Sequence, residues 1–299
     1  MEFIKKNYIS IIIMFFLVII LLIAFILITK DFNSMYASSE RTYLYCIEQS
    51  IDNDRCNYLI ANHNNKEIMT ADIFTVFFTT LMSSKINWIN YVLIILIGLS
   101  SLLYFCKLCK SKMTNNILER ENYSNFIKKT ILNCYKKFWV LFIPLLLLFI
   151  FSCLYSGHFN YSYIINSGGY YSFYVDMNPV LYIILYILSI FMFFMFFINI
   201  GLIIARKNHN IVIVIIESLL AFIIIDIIIE LMFGFILSNV LYNTFSSRFN
   251  IVNILNIGYA KNVFEMIFLP LCLVIISLVI LIIAYKNKEK FIIDCEKNN

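Results

Sequence analysis

Residues 211–237 read IVIVIIESLLAFIIIDIIIELMFGFIL, an apolar run interrupted by three carboxyls, Glu217, Asp226 and Glu230. A crossing of a hydrocarbon core of about 30 Å takes roughly 20 apolar residues in a helix, so this run is long enough to span a bilayer. Lipid offers backbone N–H and C=O groups no partner, which requires the segment to be helical, and no stretch of the chain shows the alternation of a barrel strand. The fold therefore follows from the solvent in which this stretch sits.

Comparable runs occur at 8–29, 87–106, 138–155, 180–205 and 263–285. The chain has 299 residues, of which 62% are hydrophobic and 14% charged, with a mean hydropathy of +0.85 and only 7 Gly and 3 Pro. These values lie outside the range of soluble globular domains. The expected fold class is an all-α polytopic membrane protein, a single transmembrane domain over 1–299 with six spanning helices. Six helices and modest loops use the whole length and leave no soluble catalytic domain. The first span follows Lys5-Lys6 like a signal peptide, but its length and the absence of a small-residue cleavage site predict a retained anchor.

Orientation follows from the basic residues. With the amino terminus in the cytoplasm, sixteen of the 23 Lys and Arg fall on the inner side: Lys5 and Lys6, eight between 107 and 137, Arg206 and Lys207, and four beyond residue 285. The positive-inside rule then puts both termini in the cytoplasm. The net charge of +5 reflects this topology and anionic headgroups, not nucleic acid. A multi-pass protein of a cell membrane, the bacterial plasma membrane, is expected.

The segment 30–72 is read as an extracytoplasmic insert, with four basic and seven acidic side chains and with Cys46 and Cys56. A disulfide between these two, in an oxidising compartment, is preferred over two unpaired thiols. Cys106 and Cys109 form a CxxC at the opposite membrane edge. A structural zinc needs about four ligands, and only the distant Cys134 and Cys295 could add to these two. Residues 71–87, ADIFTVFFTTLMSSKIN, are too short to cross alone and either lengthen the second helix or lie along the interface, with Lys85 and Trp88 as anchors.

The loop at 107–137, KLCKSKMTNNILERENYSNFIKKTILNCYKK, places Met113, Ile117, Leu118, Phe126, Ile127 and Ile131 at near-helical spacing among Lys, Arg and Asn. One or two amphipathic helices on the inner face are predicted, either a basic connector on anionic lipid or a docking element. Its segment KMTNNILERENYSNFIKKTIL resembles the intracellular loop of ABC-2 type transporter permeases, in which a coupling helix follows the second span. FINIGLIIARKNHNIVIVIIESLL (197–220) resembles that family's fourth span, turn and fifth span, and the ending LIIAYKNKEKF resembles its carboxyl terminus.

The resemblance implies a permease architecture like that of type V exporters, with Met113, Ile117, Leu118, Arg120, Tyr123 and Phe126 coupling to a cytoplasmic ABC ATPase. It also implies a second permease copy or a homologue. No GxxxxGK[ST] loop occurs, so ATP would be bound by the partner ATPase. The chain itself is expected to be no enzyme and to carry no cofactor or metal. His63, His158 and His209 lie in loops outside any HExxH, and no GxSxG is present.

Asp226 and Glu230 share a helix face, whereas Glu217 is rotated by about 180° from Asp226. A charged carboxylate at mid-bilayer costs about 2.5–3.5 kcal/mol on insertion scales, so Asp226 is expected to be protonated, paired, or turned to protein or water. All three carboxyls are candidates for the translocation path. The alternative for Asp226 is a hydrogen bond between helices, and for Glu217 a position near headgroups or beside Arg206 and Lys207. The expected function is export of an amphipathic or cationic substrate such as a peptide, antibiotic or lipid. The alternatives are a proton-coupled carrier and a non-transport immunity or sensor protein, in which the outer loop GHFNYSYIINSGGYYSFYVDMNP could bind a peptide or serve as a membrane belt.

Overall fold

The computed structural model describes residues 2–49, 54–62, 71–82, 88–110, 119–157, 179–229, 231 and 263–297. All regular structure among them is helical: α1 (Glu2–Glu48), α2 (Asp54–Asn62), α3 (Ile73–Met82), α4 (Trp88–Lys110), α5 (Tyr123–Tyr135), α6 (Trp139–Ser156), α7 (Pro179–Ala205), α8 (Ile211–Ile229), α9 (Val263–Ala284) and α10 (Lys288–Lys297). A single 3-10 turn, Lys136–Phe138, joins α5 to α6. Five described stretches are long and apolar enough to cross a membrane: Asn7–Glu48, Tyr123–Ser156, Ile183–Ala205, Ile211–Ile229 and Ile267–Ala284. The remaining expected span, 87–106, falls on α4, a helix of 23 residues.

Exposure identifies the solvent. On α1, Ser10, Ile13, Leu17, Leu21, Ala24 and Ile28 form a buried stripe at i+3 and i+4 spacing, while Ile12, Phe15, Phe16, Ile19, Ile23 and Ile26 are exposed. An apolar helix with one buried stripe and an apolar outer face is suited to lipid. The described residues are thus all-helical where they are regular, with the long apolar helices of a membrane-embedded protein.

The chain divides into two compact units. Unit 1 holds residues 1–14, 88–142 and 180–299, and unit 2 holds 15–87 and 143–179.

In unit 1, α7 is the central helix: 67% of its most apolar stretch is buried, against 22% for α8. Glycines let α4 approach it. A Cβ on Gly98 would lie 2.6 Å from the Phe197 ring, and one on Gly201 would lie 2.3 Å from Leu102. Small residues at helix crossings allow this closeness, and dispersion contacts take the place of a hydrophobic drive that lipid cannot supply.

In unit 2, α1 does not end near Lys30 as its hydropathy predicts but continues to Glu48. No Gly or Pro interrupts 30–48, and hydroxyls bond back to preceding carbonyls, Thr29 to Phe25 at 2.9 Å and Thr42 to Ser38 at 2.9 Å. Cys46 of α1 and Cys56 of α2 form the expected disulfide. Of the segment 71–87, Ile73–Met82 form α3, buried on nearly every side, and 83–87 lie outside the described residues. Asp72 caps it, accepting from the Thr75 N–H at 2.9 Å, and Phe74 and Phe77 pack on Phe149 of α6. Lys85 and the aromatic outer loop at 158–178 lie outside the described residues.

Candidate functional site

Among the described residues, polar and aromatic side chains meet at the end of unit 1 that carries the basic loop. Its base is α5. Asn122 starts this helix, its side chain accepting from the Ser124 N–H at 3.3 Å, and Phe126, Thr130 and Cys134 form its buried row. The i, i+4, i+8 spacing puts all three on one face. Lys128 and Lys129 are exposed, and Lys129 pairs with Glu121.

The carboxyl-terminal helix α10 closes over this face. Asn287 caps it, accepting from the Lys290 N–H at 3.1 Å. Phe291 is fully buried, with ring centroids 5.8 Å from Tyr123, 5.5 Å from Tyr285, and 6.4 Å from both Phe105 and Phe126. One aromatic side chain therefore touches α4, α5 and the end of α9. Tyr123 donates to the Tyr285 carbonyl at 2.7 Å, and Tyr285 donates to the Leu202 carbonyl at 2.6 Å. Arg206, after α7, donates from Nε to Asp294 Oδ2 at 2.9 Å and from Nη1 to the Ala284 carbonyl.

A second set of bonds links α5 to the spanning helices. The Tyr135 hydroxyl donates to Asn199 Oδ1 on α7, and Asn199 Nδ2 donates to Ser277 Oγ on α9 at 2.9 Å. The Cys134 thiol donates to the Ser101 carbonyl on α4 at 3.4 Å. Just beyond, Lys137 in the 3-10 turn donates to Asn7 and, at 3.2 Å, to Ser10. Asn199 is fully buried, and a buried amide in an apolar helix is tolerated only when both ends are bonded, as here.

The third feature is a thiol pair. Cys109 at the end of α4 and Cys295 in α10 are both buried, and their thiols interact. His209, in the turn before α8, lies beside Cys295. Its Nδ1 donates to the Ala205 carbonyl at 3.0 Å, and its Nε2 is buried. Cys109 holds the Cys295 thiol below the ordinary thiol range, with His209 adding to the effect and burial opposing it. The interaction with Cys295 in turn raises His209, again against burial. Among the described residues, no group of three or more His, Cys, Asp or Glu is arranged to hold a metal ion.

Of the coupling residues, Arg120 is exposed, Tyr123 is half-buried and bonded, and Phe126 is buried against Phe291; Met113, Ile117 and Leu118 lie outside the described residues. Glu217 is exposed on α8 among Ile213, Ile216 and Leu220. Arg206, one of its expected neighbours, is paired with Asp294. Asp226 is half-buried, and Glu230 lies outside the described residues. Asn199, Tyr135, Ser277, Asp294 and Phe291 had no signal in the sequence pattern, although an Asn within an apolar span is itself an indication of bonding between helices. Compared with family models, curated proteins and solved structures, the chain matches none.

Proposed function

We propose that the chain is the membrane-spanning permease subunit of an ATP-driven exporter, acting with a cytoplasmic ATPase and a second permease. The reading rests on the family resemblance and is supported above all by one observation: α5, the amphipathic helix of the basic loop, is hydrogen-bonded through Tyr135 and Asn199 to α7 and α9. A helix that only rested on lipid headgroups would need no such bonds. With one face fixed to three other helices and a basic face exposed, α5 can receive a push and pass it on. Its continuation through the 3-10 turn into α6 adds a covalent route, and short 3-10 segments within long helices often serve as hinges.

In this mechanism Phe126 works from inside. It holds α5 against Phe291, while Arg120, Lys128 and Lys129 face the partner. Closure of the ATPase would tilt α5, and the Tyr135–Asn199–Ser277 chain would carry the tilt into α7 and α9. The substrate class, an amphipathic or cationic molecule, follows from the acidic balance of 30–72 and from Asp226.

The test is co-purification of the chain with an ATPase from membranes, followed by Tyr135→Phe. The exporter reading expects the complex to survive and transport to fall. Transport by the purified chain alone, driven by a proton gradient, would contradict it and favour the carrier.

A further inference from the structure

The polar end of α1 presents an outward stripe. Glu40, Leu44, Ile47 and Glu48 are all exposed, Leu44 by 52% and Ile47 by 48%. They stand at i, i+4, i+7 and i+8, within about 100° of arc, which is the spacing by which one helix packs on another. Cys46, buried and bonded to Cys56 of α2, is turned from the centre of the stripe by about 150°. Arg41, at the edge of the stripe, turns back to the Ala37 carbonyl at 3.3 Å. One side of α1 therefore holds α2, and the other displays two aliphatic side chains between two carboxylates.

Two occupants of this stripe are disfavoured. The apolar run of α1 ends near Lys30, and a helix rises about 1.5 Å per residue, so residues 40–48 stand about 15–27 Å further along the axis, past a headgroup layer of about 5–8 Å. Lipid is thus out of reach. Two copies in one membrane, related by a twofold axis along its normal, would bring residues of equal depth together, Glu40 against Glu40 and Glu48 against Glu48, and these repel. What fits is a helix whose apolar row is flanked by Lys or Arg. The segment 30–72 carries four basic and seven acidic side chains, so its field attracts such a cation, and the disulfide suits an oxidising, extracytoplasmic compartment.

We propose that Glu40, Leu44, Ile47 and Glu48 form a docking site for a cationic amphipathic peptide that reaches the protein from outside the cell as a helix. The apolar face of the peptide lies on Leu44 and Ile47, and its basic flanks meet Glu40 and Glu48, the recognition mode of a helix read through i, i+4 and i+7 anchors. The Cys46–Cys56 bond holds the tip in place before the peptide arrives, so little ordering is left to oppose binding. The inference narrows the substrate class of the exporter reading and rests on that reading only for the side of the membrane on which the tip lies.

The probe is a fluorescent synthetic peptide of Leu, Ala and Lys, about five helical turns long, with Leu and Lys on opposite faces. Its binding is read by anisotropy on the full-length chain in phosphatidylcholine nanodiscs, against empty nanodiscs and against a scrambled peptide of the same composition. Saturable binding above both is expected. Leu44→Ser with Ile47→Ser should remove it, and Glu40→Gln with Glu48→Gln should weaken it about three- to tenfold and flatten its salt dependence. An intact Cys46–Cys56 bond, seen as the mass gained on reduction, shows that the tip of each variant is folded. Binding no greater than to empty nanodiscs, equal binding of the scrambled peptide, or undiminished binding by either double variant would overturn the proposal. So would a disulfide-linked dimer formed through Ile47→Cys in native membranes, which would assign the face to a second copy. Failure of the exporter reading shows instead as the absence of an ATPase complex and leaves this binding unchanged.

Discussion

Arg206 Nε meets Asp294 Oδ2 at 2.9 Å, pairing the turn after α7 with the carboxyl-terminal helix. Only 10% of the arginine side chain and 21% of the aspartate side chain are exposed. Removing one partner of such a buried pair leaves a charge without compensation. Asp294→Asn should destabilise this end of the molecule by about 2–3 kcal/mol, at or below the low end for buried pairs because Asp294 keeps some contact with water. Limited proteolysis should release the segment beyond residue 286 first, and a cleavage pattern identical to wild type would count against the pair.

The close contact of α4 and α7 makes a separate prediction. Leu102 and Phe197 are fully buried, so neither can easily withdraw from a new methyl group. Gly201→Ala should cost about 1–3 kcal/mol through overpacking. Leu102→Ala in the same chain should recover part of that loss, seen as a rise in the detergent melting temperature over the single variant. A double variant less stable than both single variants would contradict the contact.

Cys46 and Cys56 close a short loop, with a sequence separation of 10. A loop of this size removes about 2–3 kcal/mol of chain entropy from the unfolded state. Reduction, or Cys56→Ser, should make residues 46–62 sensitive to protease without changing the protection of unit 1. Equal sensitivity of both forms would show that the bond does not hold the insert.

The thiol pair predicts an unusual pH dependence. Cys295 is held below the ordinary thiol range, so its contribution to stability is present above that range and is lost as pH falls through the depressed value. His209 is raised, so its contribution is complete below its ordinary value and is lost as pH rises through the raised one. Alkylation of Cys295 should therefore fall off less steeply between pH 8 and pH 6 than that of an ordinary thiol, which slows about tenfold per unit over that range. A tenfold fall per unit at Cys295 would contradict the depressed value.

Hydropathy gave the helical class and five of the six expected spans because lipid imposes the same demand on every crossing. It misjudged α1, whose polar second half, 30–48, is helical through local bonds that hydropathy does not register. The amphipathic reading of 107–137 found Phe126, but the buried row is completed by Thr130 and Cys134, whose burial depends on where Phe291 and Ser101 happen to lie. Cys295 was visible only as a distant thiol, and Arg206 only as a topology charge. Their partners come from segments that adjoin in space and not in sequence, so no local pattern could pair Arg206 with Asp294 or Cys109 with Cys295.

In the proposed exporter the basic face of α5 looks into the cytosol and receives force there. Lys128 and Lys129 are exposed on that face, and they can be labelled with a membrane-impermeant amine reagent in intact cells and again after permeabilisation. Labelling is expected only after permeabilisation, with protection when the ATPase is bound; labelling of either lysine in intact cells would overturn this topology and the exporter with it.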